Sequence, residues 1–287
     1  MKELTIISGK GGTGKTSILG AFATLAGSSL LCDCDVDAAN LHILLNPSIK
    51  ETYEFYGEKK AEILPELCTD CGKCEELCQF KAIQKGQINS YACEGCAVCY
   101  HVCPAEAIKM KPHLSGHWYI SDTKWGPMVH AKLGIAQGNS GLLVNRVRKK
   151  AREVAKEHNL SLIISDGPPG IGCPVISSLA GTDMALVVTE PTASGIHDLE
   201  RIVKVASGFG CITAVCINKY NLDEDNCRFI EDLAEKLEVP VIGKIPYDAA
   251  MAEAVLKGIP VTILGQGAAQ EPLGELWQQV KHLLGAR

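Results

Sequence analysis

Two things are missing from this sequence. It has no surplus of positive charge: 28 Lys and Arg stand against 33 Asp and Glu, a formal net charge of −5. A dedicated nucleic-acid binder carries a basic footprint, so that class is set aside. The chain also has no apolar run near the roughly 20 residues of a membrane-spanning helix. Its short N-terminal apolar stretch runs straight into glycines and reads as a strand rather than a secretory leader. The expectation is a cytoplasmic protein with neither nucleic acid nor a stable membrane association among its partners. At 287 residues it has room for one large domain plus a small one.

Cysteine, in contrast, is abundant, with 14 residues. Eight form two runs, Cys68-x2-Cys71-x2-Cys74-x3-Cys78 and Cys93-x2-Cys96-x2-Cys99-x3-Cys103, the second followed by Pro104. Iron–sulfur clusters are held by thiolates, and in this spacing the fourth cysteine ligates the other cluster of a pair. One [4Fe–4S] cluster is therefore assigned to Cys68, Cys71, Cys74 and Cys103, and a second to Cys93, Cys96, Cys99 and Cys78. Structural zinc prefers two separated ligand pairs, and disulfides need an oxidising compartment, so both fit less well. The repeat extends past the cysteines: shifted by 25 positions, Ala82-Ile83 matches Ala107-Ile108, and Gln79 stands opposite Pro104. From about Leu64 to Met110 the chain resembles the bacterial two-cluster ferredoxin, with Gln79 as the departure. Cys32, Cys34, Cys211, Cys216 and Cys227 read as packing residues.

The rest of the chain reads as a nucleotide-binding α/β unit. Leu4–Ser8 is a short buried strand. Gly9-Lys10-Gly11-Gly12-Thr13-Gly14-Lys15-Thr16 follows, fitting G-x-x-x-x-G-K-[ST], and Ser17 lies in the helix that begins at Lys15. Glycines let such a loop curl its N–H groups around phosphate oxygens, and the helix N-terminus faces the same anion. Lys15 then reaches the β- and γ-phosphates of ATP, and Thr16 ligates Mg²⁺. Leu30–Asp35 and Leu162–Asp166 are strands ending in acid. Met184–Thr189, Cys211–Ile217 and Val241–Ile245 alternate with helical patterns at Ile196–Ser207 and Asp225–Glu238. The fold class is α/β, a doubly wound parallel sheet with an inserted α+β ferredoxin-like domain.

Lys10, just after the first glycine, together with the loop around it, resembles the deviant phosphate loop of the MinD, Mrp and nitrogenase-iron-protein group. That resemblance covers most of the chain outside the insert. It implies an ATPase that dimerises around ATP, with Lys10 reaching the partner's nucleotide; the plainer reading is a lysine adding charge to its own site. It also implies that Asp35 to Asn40 form the first switch. Asp35 would orient the attacking water, with Asp37 as the alternative or as an aid to the metal. Asp166 would hold Mg²⁺ through water, and Gly167-Pro168-Pro169-Gly170 would be the second switch. Asn218 resembles the family's adenine contact, and Pro246 lies in a segment resembling its base-lining loop. Cys173 stands where the nitrogenase iron protein places an intersubunit cluster ligand, and equally suits a small buried residue at a helix start.

The domain boundaries follow. Residues 1–60 and 112–287 form the ATPase and 61–111 the insert. Of the joins, about Glu54–Leu64 reads as charged and irregular and about Lys111–Gln137 as rich in Gly, Pro, His and Trp, with Asn139-Ser140 as the cap of a helix running to about His158. Function is expected to be ATP-gated electron transfer through two clusters to a redox or metalloprotein partner. The dimer is either of identical chains or with a related ATPase. A cluster carrier of the Mrp type is the alternative, against which stands the lack of a C-terminal Cys-x-x-Cys pair. A MinD-like spatial organiser is a further one, but the last helix has few basic residues beside Leu273, Leu276, Trp277, Val280, Leu283 and Leu284, and reads as core packing.

Overall fold

A computed structural model describes residues 1–134 and 140–285. In chain order the elements are β1 (Lys2–Ser8), α1 (Lys15–Leu25), β2 (Leu30–Asp33), α2 (Leu41–Leu45), β3 (Ser48–Ile63), α3 (Lys73–Glu76), β4 (Ile83–Gln84), β5 (Gln87–Ile88), α4 (Val98–Val102), β6 (Ile108–Thr123) and β7 (Gly126–Leu133). There follow α5 (Ser140–Glu157), β8 (Leu162–Pro169), α6 (Cys173–Leu179), β9 (Met184–Thr189), α7 (Ala193–Ser207), β10 (Ile212–Asn218), α8 (Glu224–Lys236), β11 (Val241–Ile245), α9 (Ala249–Lys257), α10 (Val261–Leu264) and α11 (Gln270–Gly285).

The main sheet runs β11-β10-β9-β1-β8-β2-β7-β6-β3. From β11 to β7 every neighbouring pair is parallel, whereas β7–β6 and β6–β3 are antiparallel. Alternation along the strands sends side chains to the two faces of the sheet. Leu4, Ile6, Leu31 and Ile164 pack with α1, α2 and α9–α11. Ile7, Val187 and Val215 pack with α6–α8, while Leu30, Cys32 and Ile163 pack with α5. The apolar stripe of α11 is core, as its sequence suggested: Leu273, Leu276, Trp277, Val280 and Leu284 are buried, and Trp277 meets Phe22 with ring centroids 4.9 Å apart. No helix among the described residues is long and apolar enough to cross a membrane.

The joins to the insert are not irregular. β3 and β6 form one long antiparallel ribbon, from Ser48 opposite Asp122 to Ile63 opposite Ile108. The second join is β6 and then β7 as far as Leu133, and its expected end at Gln137 lies outside the described residues. The expected boundaries fall within this ladder, where Lys60 faces Lys111. Alternation gives no signal here because much of β3 is an exposed sheet edge, where charged residues on both faces guard against stray pairing. Ser140 is the first residue of α5, and Asn139 lies outside the described residues.

At the far end of the ribbon sits the insert, with α3, the β4–β5 hairpin and α4 around a small core of Ala61, Ile83, Cys99 and Ile108. Its two halves repeat in detail. Ala82 N donates to Cys78 Sγ and Ala107 N to Cys103 Sγ, both at 3.3 Å. The insert is tied to the ribbon by Lys60, whose ammonium donates to Ser90 O, and by Gly95, where a Cβ would lie 2.5 Å from Lys59 O.

Candidate functional site

The loop from Gly9 to Gly14 joins β1 to α1 at the parallel strands' C-terminal ends. Gly12 and Gly14 have φ of 80° and 93°, which L side chains rarely adopt. At Gly14 space forbids one as well, since a Cβ would lie 2.3 Å from Asn218 Nδ2. A cleft of about 340 Å³ opens over the loop, lined in part by Gly11, Gly12, Gly14, Lys15, Thr16, Ser17, Asp35, Ala38 and Asn40. Lys15 is only 5% exposed.

Thr16 Oγ1 hydrogen-bonds Asp166 Oδ2 at 2.5 Å and Asn40 Oδ1 at 2.9 Å. Asp166 is fully buried and its Oδ1 has no partner among the described residues. An orphaned carboxylate oxygen beside a hydroxyl is a hard-oxygen donor set that suits Mg²⁺. Burial pushes the Asp166 carboxyl up to about 6, opposed by Lys15 and the Thr16 hydroxyl and aided by Asp35. Asp35 is raised too, chiefly by burial, against the pull of Lys15.

Asp37 is exposed and off the cleft; Asn40 reaches Thr16 instead. Asn218 braces the loop, Nδ2 donating to Thr13 O at 2.8 Å. Pro246 is half-buried outside the cleft lining. Lys10 lies beside the loop with Gly9 and Thr13, away from the residues that line the cleft. Its Nζ is 2.5 Å from Glu190 Oε1 and donates to Thr192 Oγ1 (3.1 Å) and Ser194 Oγ (2.8 Å). Lys219 closes the other side of Glu190 at 2.9 Å and donates to Gly12 O at 3.2 Å. Cys173 is exposed at the start of α6.

Asp33 is buried, and its two oxygens accept from the N–H of Asp35 (3.0 Å) and of Leu41 (3.3 Å), the two ends of the segment carrying Asp35 and Asn40. Its place at the end of β2, opposite Asp166 on β8, was the available signal. Glu190 had none, because its partners Lys10 and Lys219 are far away in sequence.

The insert holds two further cavities. One, of about 360 Å³, is lined by Cys68, Cys71, Cys74 and Cys103; the other by Cys78, Cys93, Cys96 and Cys99. Each takes three cysteines from one run and the fourth from the other. None of the fourteen cysteines is joined in a disulfide. Among the described residues no three His, Cys, Asp or Glu side chains converge closely enough for a single metal ion. A ring of thiols around a cavity differs from that, because a cubane takes its ligands at separate corners.

Residues 4–261 match the CobQ/CobB/MinD/ParA nucleotide binding domain family, to which this chain belongs. An uncharacterized protein of Methanocaldococcus jannaschii is 31% identical over 285 residues, covering 98% of this chain and 97% of that one. An iron-sulfur cluster carrier protein of Pyrococcus abyssi is 27% identical over 158 residues, about half of each chain. Among solved structures, the septum site-determining protein MinD of Pyrococcus horikoshii, complexed with Mg-ADP, superimposes with a TM-score of 0.62 at 18% identity, covering 99% of this chain and 98% of that one.

Proposed function

We propose that this protein is a Mg²⁺-dependent ATPase whose nucleotide state governs electron transfer through two [4Fe–4S] clusters to a redox or metalloprotein partner in a reducing cytoplasm. The observation that carries the reading is the pair of cysteine-ringed cavities on a ribbon continuous with the ATPase sheet. Cys68, Cys71, Cys74 and Cys103 would hold one cluster, and Cys78, Cys93, Cys96 and Cys99 the other, supplying one-electron carriage when bound. Lys15 and the loop N–H groups bind the phosphates, while Thr16 and Asp166 would hold the metal, which would offset the phosphate charge. Asp35 takes a proton from water as its oxygen adds to the γ-phosphorus and the bond to the ADP oxygen breaks. Dimerisation, with a second copy or a related ATPase, requires Lys10 to leave Glu190 and reach the partner's nucleotide. Cys173 is a further candidate ligand at that interface.

Anaerobically purified protein is expected to carry about eight iron and eight sulfide per chain. Its reduction potentials should differ with and without a non-hydrolysable ATP analogue, and Lys15→Ala should abolish hydrolysis. Clusters whose potentials and transfer rates ignore nucleotide would overturn the gating. A cluster carrier is the second reading, favoured by the likeness to the Pyrococcus abyssi carrier protein. Its signature is ATP-dependent cluster release to an apo-acceptor.

A further inference from the structure

On the face opposite α1, a groove of about 500 Å³ runs between α5 and the ribbon. Its ribbon wall is Tyr53 stacked on Trp118, centroids 4.0 Å apart and planes within 7°. Its α5 wall presents Leu142, Arg146, Lys149 and Lys150. The protein is acidic, yet α5 holds six basic residues against two acidic ones. Arg148 and Arg152 are both taken up by Glu3, and Lys150 pairs with Glu153. Arg146 and Lys149 make no ion pair among the described residues, and Leu142 beside them is 52% exposed. Aromatic rings, arginine and unpaired cations together mark a surface built to receive a partner with carboxylates and apolar side chains.

The same chain carries such a surface. From Leu64 to Ile108 the insert has six carboxylates against three lysines. Glu75-Glu76-Leu77 and Phe80 concentrate the match, with Leu77 and Phe80 each 45% exposed. The Glu76 carboxylate has no partner among the described residues. The internal repeat acts as a control: Tyr100, His101, Val102 and Ala105 occupy the equivalent positions of the second half. The duplicated scaffold therefore does not require two acids and a phenylalanine there.

The groove cannot take its own insert. Tyr53 and Ile63 lie ten residues apart on one ribbon, about 33 Å at strand rise, and the paired ladder does not fold back. We propose that the α5 groove receives the Glu75–Phe80 segment of a second copy of this chain, reciprocally across a two-fold axis, so that each insert docks on its partner's body. The contact is separate from the nucleotide-dependent dimer, and it needs the insert folded but no electron transfer.

The test uses anaerobically purified full-length protein with Lys10→Ala and no nucleotide, which removes the ATP-dependent dimer. Sedimentation should show a dimer that weakens at least about tenfold between roughly 50 and 500 mM NaCl. Arg146→Glu with Lys149→Glu should abolish it, as should Glu75→Lys with Glu76→Lys, with iron content unchanged. An equimolar mixture of the two variants should form a heterodimer, held by one native contact and one with its charges reversed. Carbodiimide cross-linking of mixed ¹⁴N and ¹⁵N protein should join Lys149 of one copy to Glu75 or Glu76 of the other, which needs no variant. A monomer at roughly 100 µM, dimers indifferent to the charge reversals, or cross-links confined to one copy overturn the proposal. So does a groove that binds a labelled oligonucleotide in place of the second copy, which would assign it to nucleic acid.

Discussion

Asp166 governs the charge balance of the phosphate site. It is fully buried beside Asp33 and Asp35, with Lys15 as the opposing charge. Its carboxyl, normally near 3.8, titrates at about 6 in the folded, metal-free protein. Between those values the folded state holds a proton that the unfolded chain has released, so this residue lowers stability as pH rises through the window. Asp166→Asn removes the effect. Metal-free, the variant should melt several degrees above wild type at pH 7.5, with the gap closing toward pH 4. Added Mg²⁺ should raise the melting temperature of the wild type alone, and its apparent affinity should fall below pH 6. A metal-free variant no more stable at pH 7.5 than at pH 4, relative to wild type, would refute the assigned burden.

At the scale of elements, the root of the ribbon is held by a buried histidine. His130 on β7 faces Tyr119 on β6, rings stacked at 5.0 Å, and its Nε2 is 2.9 Å from Ser121 Oγ. Burial, with His42 nearby, lowers it from 6.5 to about 4. The folded state therefore keeps it neutral where the unfolded chain is protonated, and stability is lost as pH falls from about 6.5 toward 4. His130→Gln should be less stable at neutral pH by roughly 1–2 kcal/mol and should flatten that acid slope. Urea unfolding at several pH values reads both. The helices after the main strands need no such device: Thr192, Asp223 and Asp248 cap α7, α8 and α9 with their own side chains, each contributing about 1 kcal/mol.

For the whole molecule, the body and the insert share a ribbon but not a core. The insert's apolar cluster is its own, whereas α5 and the strands of the body form another. Tyr56 faces Leu114 across the ladder. Replacing residues 57–113 by Asn-Gly should close a two-residue hairpin at that rung. The shortened protein should fold and bind ATP, measured by calorimetry, but contain no iron. Loss of nucleotide binding in a folded variant would mean that the insert supports the ATP site.

The phosphate loop, the acid-tipped strands and the two cysteine runs are legible in the sequence because each depends on residues at short, fixed spacing. Strands β1, β8 and β9 are legible because burial on both faces leaves a dense apolar run. The ribbon is not, since an edge strand exposed on both faces and studded with charge looks like a linker until its partner is placed beside it. Nor are the positions of Lys10 and Asn218. A lysine beside glycines is compatible with its own nucleotide or a neighbour's, and only the arrival of Glu190 from the end of β9 holds it to the side. Nor is the exposure of Asp37 legible, because the turn after β2 points it at solvent, a matter of backbone direction. Short-range chemistry follows from the order of residues, while which distant charge meets which loop follows from the order of strands in the sheet.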